Sequence, residues 1–317
     1  MNVYPAKAAE RDAWILRHRP ARESHDPFVP YEYFVEEECT DLGVVAPVAT
    51  VFLTNRECPF RCVMCDLWRN TLSETVPVGA IPAQIDHALA RLPPARQLKL
   101  YNSSSFFDPG AIPPADHAAI AQRGNGFERL IVENHPALVG DACLRFRDLI
   151  HGKFEVAMGL ETVHPAVLAQ LNKRMTLDQF STAANFLRRS GIDLRVFILV
   201  QPPLMATNEA LLWAERALDF AMEHGATAAT LIPTRGGNGA MEALAANGQF
   251  APPPLHTLES AMEYGLHLKA GRVFADLWGL RASCSHCREQ RTARLQQMNL
   301  QQRMIERIEC AACAGAS

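Results

Sequence analysis

Cys58-Pro59-Phe60-Arg61-Cys62-Val63-Met64-Cys65 places three thiols within eight residues, spaced Cys-x3-Cys-x2-Cys, directly after the apolar run at 48–53. Thiolates are soft ligands that suit iron–sulfur clusters and zinc. A short loop at a strand end can turn all three sulfurs to one face. Three ligands are one fewer than a closed four-coordinate site needs, and an open metal position is where a small molecule can bind and react. A zinc knuckle would need a fourth ligand close by, for which Asp66 is a poor choice in a structural site. Cysteines buried merely as small apolar residues rarely gather at two tight spacings.

From Pro47 onward, short apolar runs alternate with amphipathic stretches. The pattern predicts strands over 48–54, 97–101, 129–132, 154–159, 194–200, 228–232 and 272–277. It predicts helices over 82–91, 115–123, 136–151, 177–190, 208–223 and 255–269, with Thr176 and Thr207 as N-caps and Gly191 and Gly225 as helix-ending glycines. Strands that read as apolar runs separated by helices indicate a parallel sheet covered on both faces. The expected fold class is α/β: a partial (βα)6-type open barrel over 47–280, with an N-terminal extension over 1–46 and a small metal-binding tail over 281–317. In the extension, 7–18 reads as a short helix stopped by Pro20. Residues 22–44 combine Phe28, Tyr31, Tyr33 and Phe34 with the acidic run Glu36, Glu37 and Glu38. They read as a strap over the core with buried aromatics and solvated charges.

Chemistry in such barrels sits at the C-terminal strand ends. The cysteine loop follows the first strand there. Asn102, Ser103 and Ser104 follow the second, Glu133 the third and Glu161 the fourth. After the sixth comes Arg235-Gly236-Gly237-Asn238-Gly239, where glycines let the backbone approach an anionic or planar ligand beside Arg235.

The Cys58, Cys62 and Cys65 spacing resembles the radical S-adenosylmethionine (SAM) superfamily, although Met64 stands where members usually carry an aromatic residue. The resemblance implies a [4Fe–4S] cluster with each of the three cysteines on one iron and SAM chelating the fourth. It implies one-electron cleavage of SAM to a 5′-deoxyadenosyl radical, fed by a reductase or by a flavodoxin or ferredoxin. SAM contacts are implied at Asn102, Ser103, Ser104, Glu133 and Glu161. No catalytic acid or base is assigned. The runs at 66–70, 99–108, 233–241 and 271–278 are further similar to the radical SAM subunit of archaeosine synthase and its uncharacterised relatives. That similarity implies hydrogen abstraction from a modified nucleobase or a tRNA-linked lysine adduct, beside a partner enzyme subunit.

Seven of the nine cysteines lie in tight motifs. In a reducing compartment such spacing argues for metal rather than disulfides, and Cys39 and Cys143 read as packing residues. Cys284-x2-Cys287 and Cys310-x2-Cys313 have the spacing of a four-cysteine site, read first as one closed structural zinc site, with an auxiliary iron–sulfur cluster as the rival. One straight helix between the pairs would be about 30 Å long and hold them apart. A single site therefore requires the helix to end near Asn299 and the chain to return extended. Arg288, Arg291, Arg294, Arg303 and Arg307 read as a solvated helix face. With a second cluster the alternative is sulfur insertion from a sacrificial site; without catalysis it is a zinc-binding scaffold.

The net charge of −3, with no basic run, lends a tRNA partner no support of its own. Lys7, Glu10, Arg11 and Asp12 occupy the stretch where a signal peptide would be apolar, and no apolar run has membrane-spanning length. A cytoplasmic protein without a membrane partner is expected.

Overall fold

The apolar run before the first cysteine extends into strand β2, Val44–Phe52, in the computed structural model of the chain. The structure describes residues 4–41, 43–280 and 284–314, so 281–283 and 315–317 of the expected tail lie outside the described residues. Six strands follow β2: β3 Gln97–Tyr101, β4 Arg129–Glu133, β5 Lys153–Glu161, β6 Asp193–Val200, β7 Ala228–Pro233 and β8 Arg272–Ala275. Each pairs in parallel with the next in sequence. Parallel neighbours need long crossovers, which carry α2 Ala80–Leu89, α3 His117–Gly124, α4 Asp141–Arg147, α5 Pro165–Gln170, α6 Leu177–Arg189, α7 Ala210–Glu223, α8 Ala240–Ala246 and α9 Leu255–Leu268. α1, Ala8–His18, precedes the sheet, and α10 Arg288–Gln301 and α11 Ala311–Ala314 follow it. This is the partial open βα barrel that the sequence pattern predicts.

Local chemistry sets several boundaries. Thr176 and Gln179 form a reciprocal capping box at the start of α6. Thr207 instead opens a 3-10 turn, and α7 begins only at Ala210. The expected helix over 136–151 divides into the turn Pro136–Leu138 and α4, with Gly140 between them.

Residues 32–41 are not a loose strap. They form β1, Glu32–Asp41, which pairs antiparallel with β2 and brings the described sheet to eight strands. A strand sends alternate side chains to opposite faces, so Phe34, Glu36 and Glu38 line the inside of the barrel. Glu38 is buried rather than solvated, 2.5 Å from Lys99 Nζ and 2.7 Å from Arg195 Nη2.

The same period of two sorts the rest of the barrel. Outward residues such as Val51, Leu100, Val132, Val156, Val196 and Leu231 pack beneath the helices in the main hydrophobic core. Inward residues build a layer of buried charge. Glu155, fully buried, accepts from Arg195 at 2.7 Å and Arg129 at 2.8 Å and lies 3.3 Å from Arg272. Burial disfavours ionisation of Glu38 and Glu155, but Arg195 and the other surrounding cations outweigh it and hold both below the usual carboxylate range.

Among the described residues no backbone pairing joins β1 to β8. α10 packs against both strands instead. Its C-terminal amides complete the exposed edge of β8. Asn299 exchanges hydrogen bonds with the backbone of Ala275 at 2.8 and 2.9 Å, and Gln302 does so with Val273 at 2.7 and 2.8 Å. No described helix is long and apolar enough to cross a membrane.

Candidate cofactor site and cavity

The cysteine loop leaves the C-terminal end of β2 and is tied down from three sides. Val63 N–H donates to Leu171 O at 3.0 Å, and Asn172 Nδ2 donates to Arg61 O at 2.7 Å. Asn238 Nδ2 donates to Val63 O at 2.8 Å and to Cys65 O at 3.0 Å, while its Oδ1 accepts from Met241 N–H. Phe60 stacks on His135 with ring centroids 3.8 Å apart. Burial lowers the His135 pKa to about 3, so the ring is neutral and Nε2–H donates to Lys173 O.

The Cys58 thiolate opposes ionisation of Cys62, and both oppose that of Cys65. Burial raises all three pKa values, Cys62 to about 12, while the Lys173 ammonium favours the ionised forms of Cys58 and Cys62. Lys173 is itself buried, 2.7 Å from Glu161 Oε1. Burial works against its charge, but the Glu161 carboxylate prevails and the pKa is raised.

Asn102, Ser103 and Glu133 come together beside this loop. Glu133 accepts from the backbone N–H of Asn102 at 2.5 Å and of Ser103 at 2.6 Å. Burial nevertheless raises its pKa to about 7. Among the described residues neither polar atom of the buried Asn102 side chain has a hydrogen-bond partner, and the buried Ser104 hydroxyl lies against the Cys58 thiol. Ser103 accepts or donates at 2.9 Å with Tyr31 on the approach to β1. Glu161 sits with φ +63° at the irregular end of β5, turned toward Lys173 rather than Glu133. Arg235 stands apart, paired with Asp276.

Sequence reasoning missed Lys173, Asn238 and His135. Asn238 lies inside the glycine-rich stretch, where nothing local marks its amide as a brace for the distant cysteine loop. The close approach there serves packing: a Cβ on Gly239, at φ +84°, would meet His18 O at 1.8 Å at the end of α1. Lys173 follows α5 with no local pattern to mark it.

Beside the site the barrel holds a half-open cavity of about 540 Å³. Phe34, Phe52, Tyr101, Phe197, Phe274 and Trp278 give it an aromatic wall. Ser103 and Glu133 stand at its upper end, and Glu38, Lys99 and Arg195 supply charge. Gln296 and Asn299 of α10 complete the lining.

The tail gathers its own group. The sulfurs of Cys284, Cys287, Cys310 and Cys313 all lie within 4.8 Å of one another and could hold a metal ion. Backbone N–H groups of Cys287 and His286 aim at the Cys284 sulfur and lower its pKa to about 6. α10 ends at Gln301, with Gln302 at φ +48° turning the chain back, as the spacing required. Its arginines are not all solvated: Arg294 is buried and binds Glu259, Glu263 and the carbonyls of Ile305 and Glu306.

No family model matches the chain. It is 27% identical to archaeosine synthase subunit beta of Methanosarcina acetivorans over 235 residues, 69% of this chain and 67% of that one. It is 20% identical to an uncharacterised protein of Methanocaldococcus jannaschii, over 76% of this chain and 71% of that one. A radical SAM methyltransferase of Kitasatospora setae, solved with tryptophan and a SAM analogue, superimposes with a TM-score of 0.46 at 17% identity over 59% of this chain. The chain spans 36% of that structure's own length.

Proposed function

We propose that this chain, a relative of archaeosine synthase subunit beta with the cysteine signature of the radical SAM superfamily, is a radical SAM enzyme. Cys58, Cys62 and Cys65 would hold a [4Fe–4S] cluster, leaving one iron for SAM. The residues fit that cofactor pair. Three thiols on one loop supply three of a cluster's four ligands. The Asn102 side chain, buried beside them with no hydrogen-bond partner among the described residues, is the observation that carries the reading, because buried polar atoms without partners point to a ligand.

With both groups bound, the chemistry supplied is one-electron cleavage of SAM and hydrogen-atom abstraction by the carbon radical formed. The chain's own task is to bind, orient and keep out water. Asn102 and Ser104 would donate to and accept from SAM, and Glu133, once ionised, would accept from its ammonium. Asn238, Asn172 and the Phe60–His135 stack hold the cysteine loop in register. The aromatic wall would exclude solvent around a substrate in the cavity.

A modified nucleobase or a tRNA-linked lysine adduct is the substrate class suggested by the archaeosine synthase relative, with a partner enzyme subunit and a flavodoxin or ferredoxin as electron donor. The test is anaerobic reconstitution followed by dithionite and SAM. The expected result is about four irons at the barrel site and release of 5′-deoxyadenosine. Cluster assembly without that product would overturn the enzyme reading and leave a metal-binding scaffold.

A further inference from the structure

We propose that Cys284, Cys287, Cys310 and Cys313 bind one zinc ion in a closed four-thiolate site, and that this ion clasps α10 across the open side of the barrel. The sulfur separations decide the metal's nuclearity. Cys284 Sγ lies 3.8 Å from Cys310 Sγ, and Cys287 Sγ lies 3.6 Å from Cys313 Sγ. A tetrahedral ion with metal–sulfur bonds of about 2.3 Å sets its ligands about 3.8 Å apart. A cubane cluster binds each thiolate through a different iron and spreads them further than this. Disulfides need sulfurs about 2 Å apart, and all four cysteines are free. Four thiolates also fill the coordination shell, so the ion has no open position for catalysis or sulfur donation.

What the ion would hold follows from the kind of contact that ties the tail to the barrel, which is mostly polar. α10 buries only Arg294, Leu295 and Met298. Only Leu295 and Met298 of these are apolar, and a structural metal adds stability where the apolar contact is small. The ligand pairs flank α10 and its returning segment, closing a loop of which both ends are fixed. Within that loop, Asn299 and Gln302 complete the β8 edge, while Gln296 and Asn299 line the cavity. The metal therefore shapes one wall of the cavity from outside it. The assignment stands on the tail alone and is independent of the catalytic reading.

The test uses the full chain as purified, before any iron reconstitution. Metal analysis should give one zinc per chain, retained in Cys62→Ala, and cobalt substitution should give the visible bands of four-thiolate tetrahedral cobalt. Cys284→Ser with Cys310→Ser should lose the zinc, and limited proteolysis within 288–314 should accelerate on the order of tenfold, because cleavage follows the population of the opened segment. Asn299→Ala should keep the zinc yet also speed cleavage. Iron and sulfide in the tail, or four cysteines recovered as disulfides, would overturn the zinc site. Zinc loss with unchanged proteolysis would overturn the clasp.

Discussion

The two cysteine groups differ in the way that separates a reactive centre from a structural one. The loop at 58–65 offers three thiols, beside a buried Asn102 side chain with no hydrogen-bond partner among the described residues. The tail offers four that converge to tetrahedral spacing and need nothing more. Their supports differ as well. The first group stands on a barrel with a large apolar core outside and a buried ion-pair layer inside. The second flanks α10, which buries only two apolar side chains and meets the barrel mostly through polar contacts. A ligand set that is incomplete can rest only on a scaffold that folds without it, whereas a complete set can itself supply the scaffold.

Breaking one side of this contrast should leave the other standing. Cys62→Ala should abolish the barrel-site iron signal and all SAM-dependent 5′-deoxyadenosine, while circular dichroism and tail zinc stay at wild-type levels. If the variant also lost its zinc or its fold, the two centres would not be independent.

The barrel's independence is tested next at Glu155, the carboxylate shared by Arg129, Arg195 and Arg272. Glu155→Gln leaves three buried guanidinium groups short of an anion. Breaking a buried ion pair costs about 3–5 kcal/mol, so the urea midpoint should fall accordingly. Stripping the iron from the wild type should leave that midpoint nearly unchanged.

A smaller effect is expected from Asn238→Ala, which removes two donors from the cysteine loop. Losing hydrogen bonds to buried carbonyls costs about 1–3 kcal/mol. The variant should fold, take up iron, and lose it to a chelator faster than wild type, with zinc retention unaffected.

How much of this was legible depends on whether the signal was local. The parallel strands and the three-cysteine loop were readable because each is a contiguous pattern: an apolar run, then ligands at a fixed spacing. The return of the tail was readable from reach alone. β1 was not, because Glu38 looks as solvated as its exposed neighbours Glu36 and Glu37 until Lys99 and Arg195, from distant strands, are placed opposite it. The charges in strands 97–101, 153–161 and 193–200 were the available clue. Lys99, Glu155 and Arg195 interrupt apolar runs at positions that face one lumen, and neutralise one another only once the barrel forms. Lys173 and Asn238 act on backbone and thiols far away in sequence, a relation that spacing does not carry.

The finest distinction concerns protons at Glu133. Burial raises its pKa from 4.5 to about 7, opposite in direction to Glu38, which its cations hold low. Between those two values the native state keeps a proton that the unfolded chain has released. Glu133 therefore makes the cofactor-free protein lose stability as pH rises through that window, the reverse of an ordinary ion-paired carboxylate. Glu133→Gln should flatten this part of the stability profile, measured as wild type minus variant so that histidine titrations cancel. A cationic ligand should pull the other way. If the SAM ammonium meets this carboxylate, SAM affinity at pH 6 should be roughly tenfold weaker than above pH 8, since one pH unit below the pKa leaves about a tenth of the group ionised. Glu133→Gln should bind weakly at both values. A wild-type affinity independent of pH would remove Glu133 from the SAM site and leave it as a brace for the Asn102–Ser103 turn, with the three-cysteine loop still open beside it.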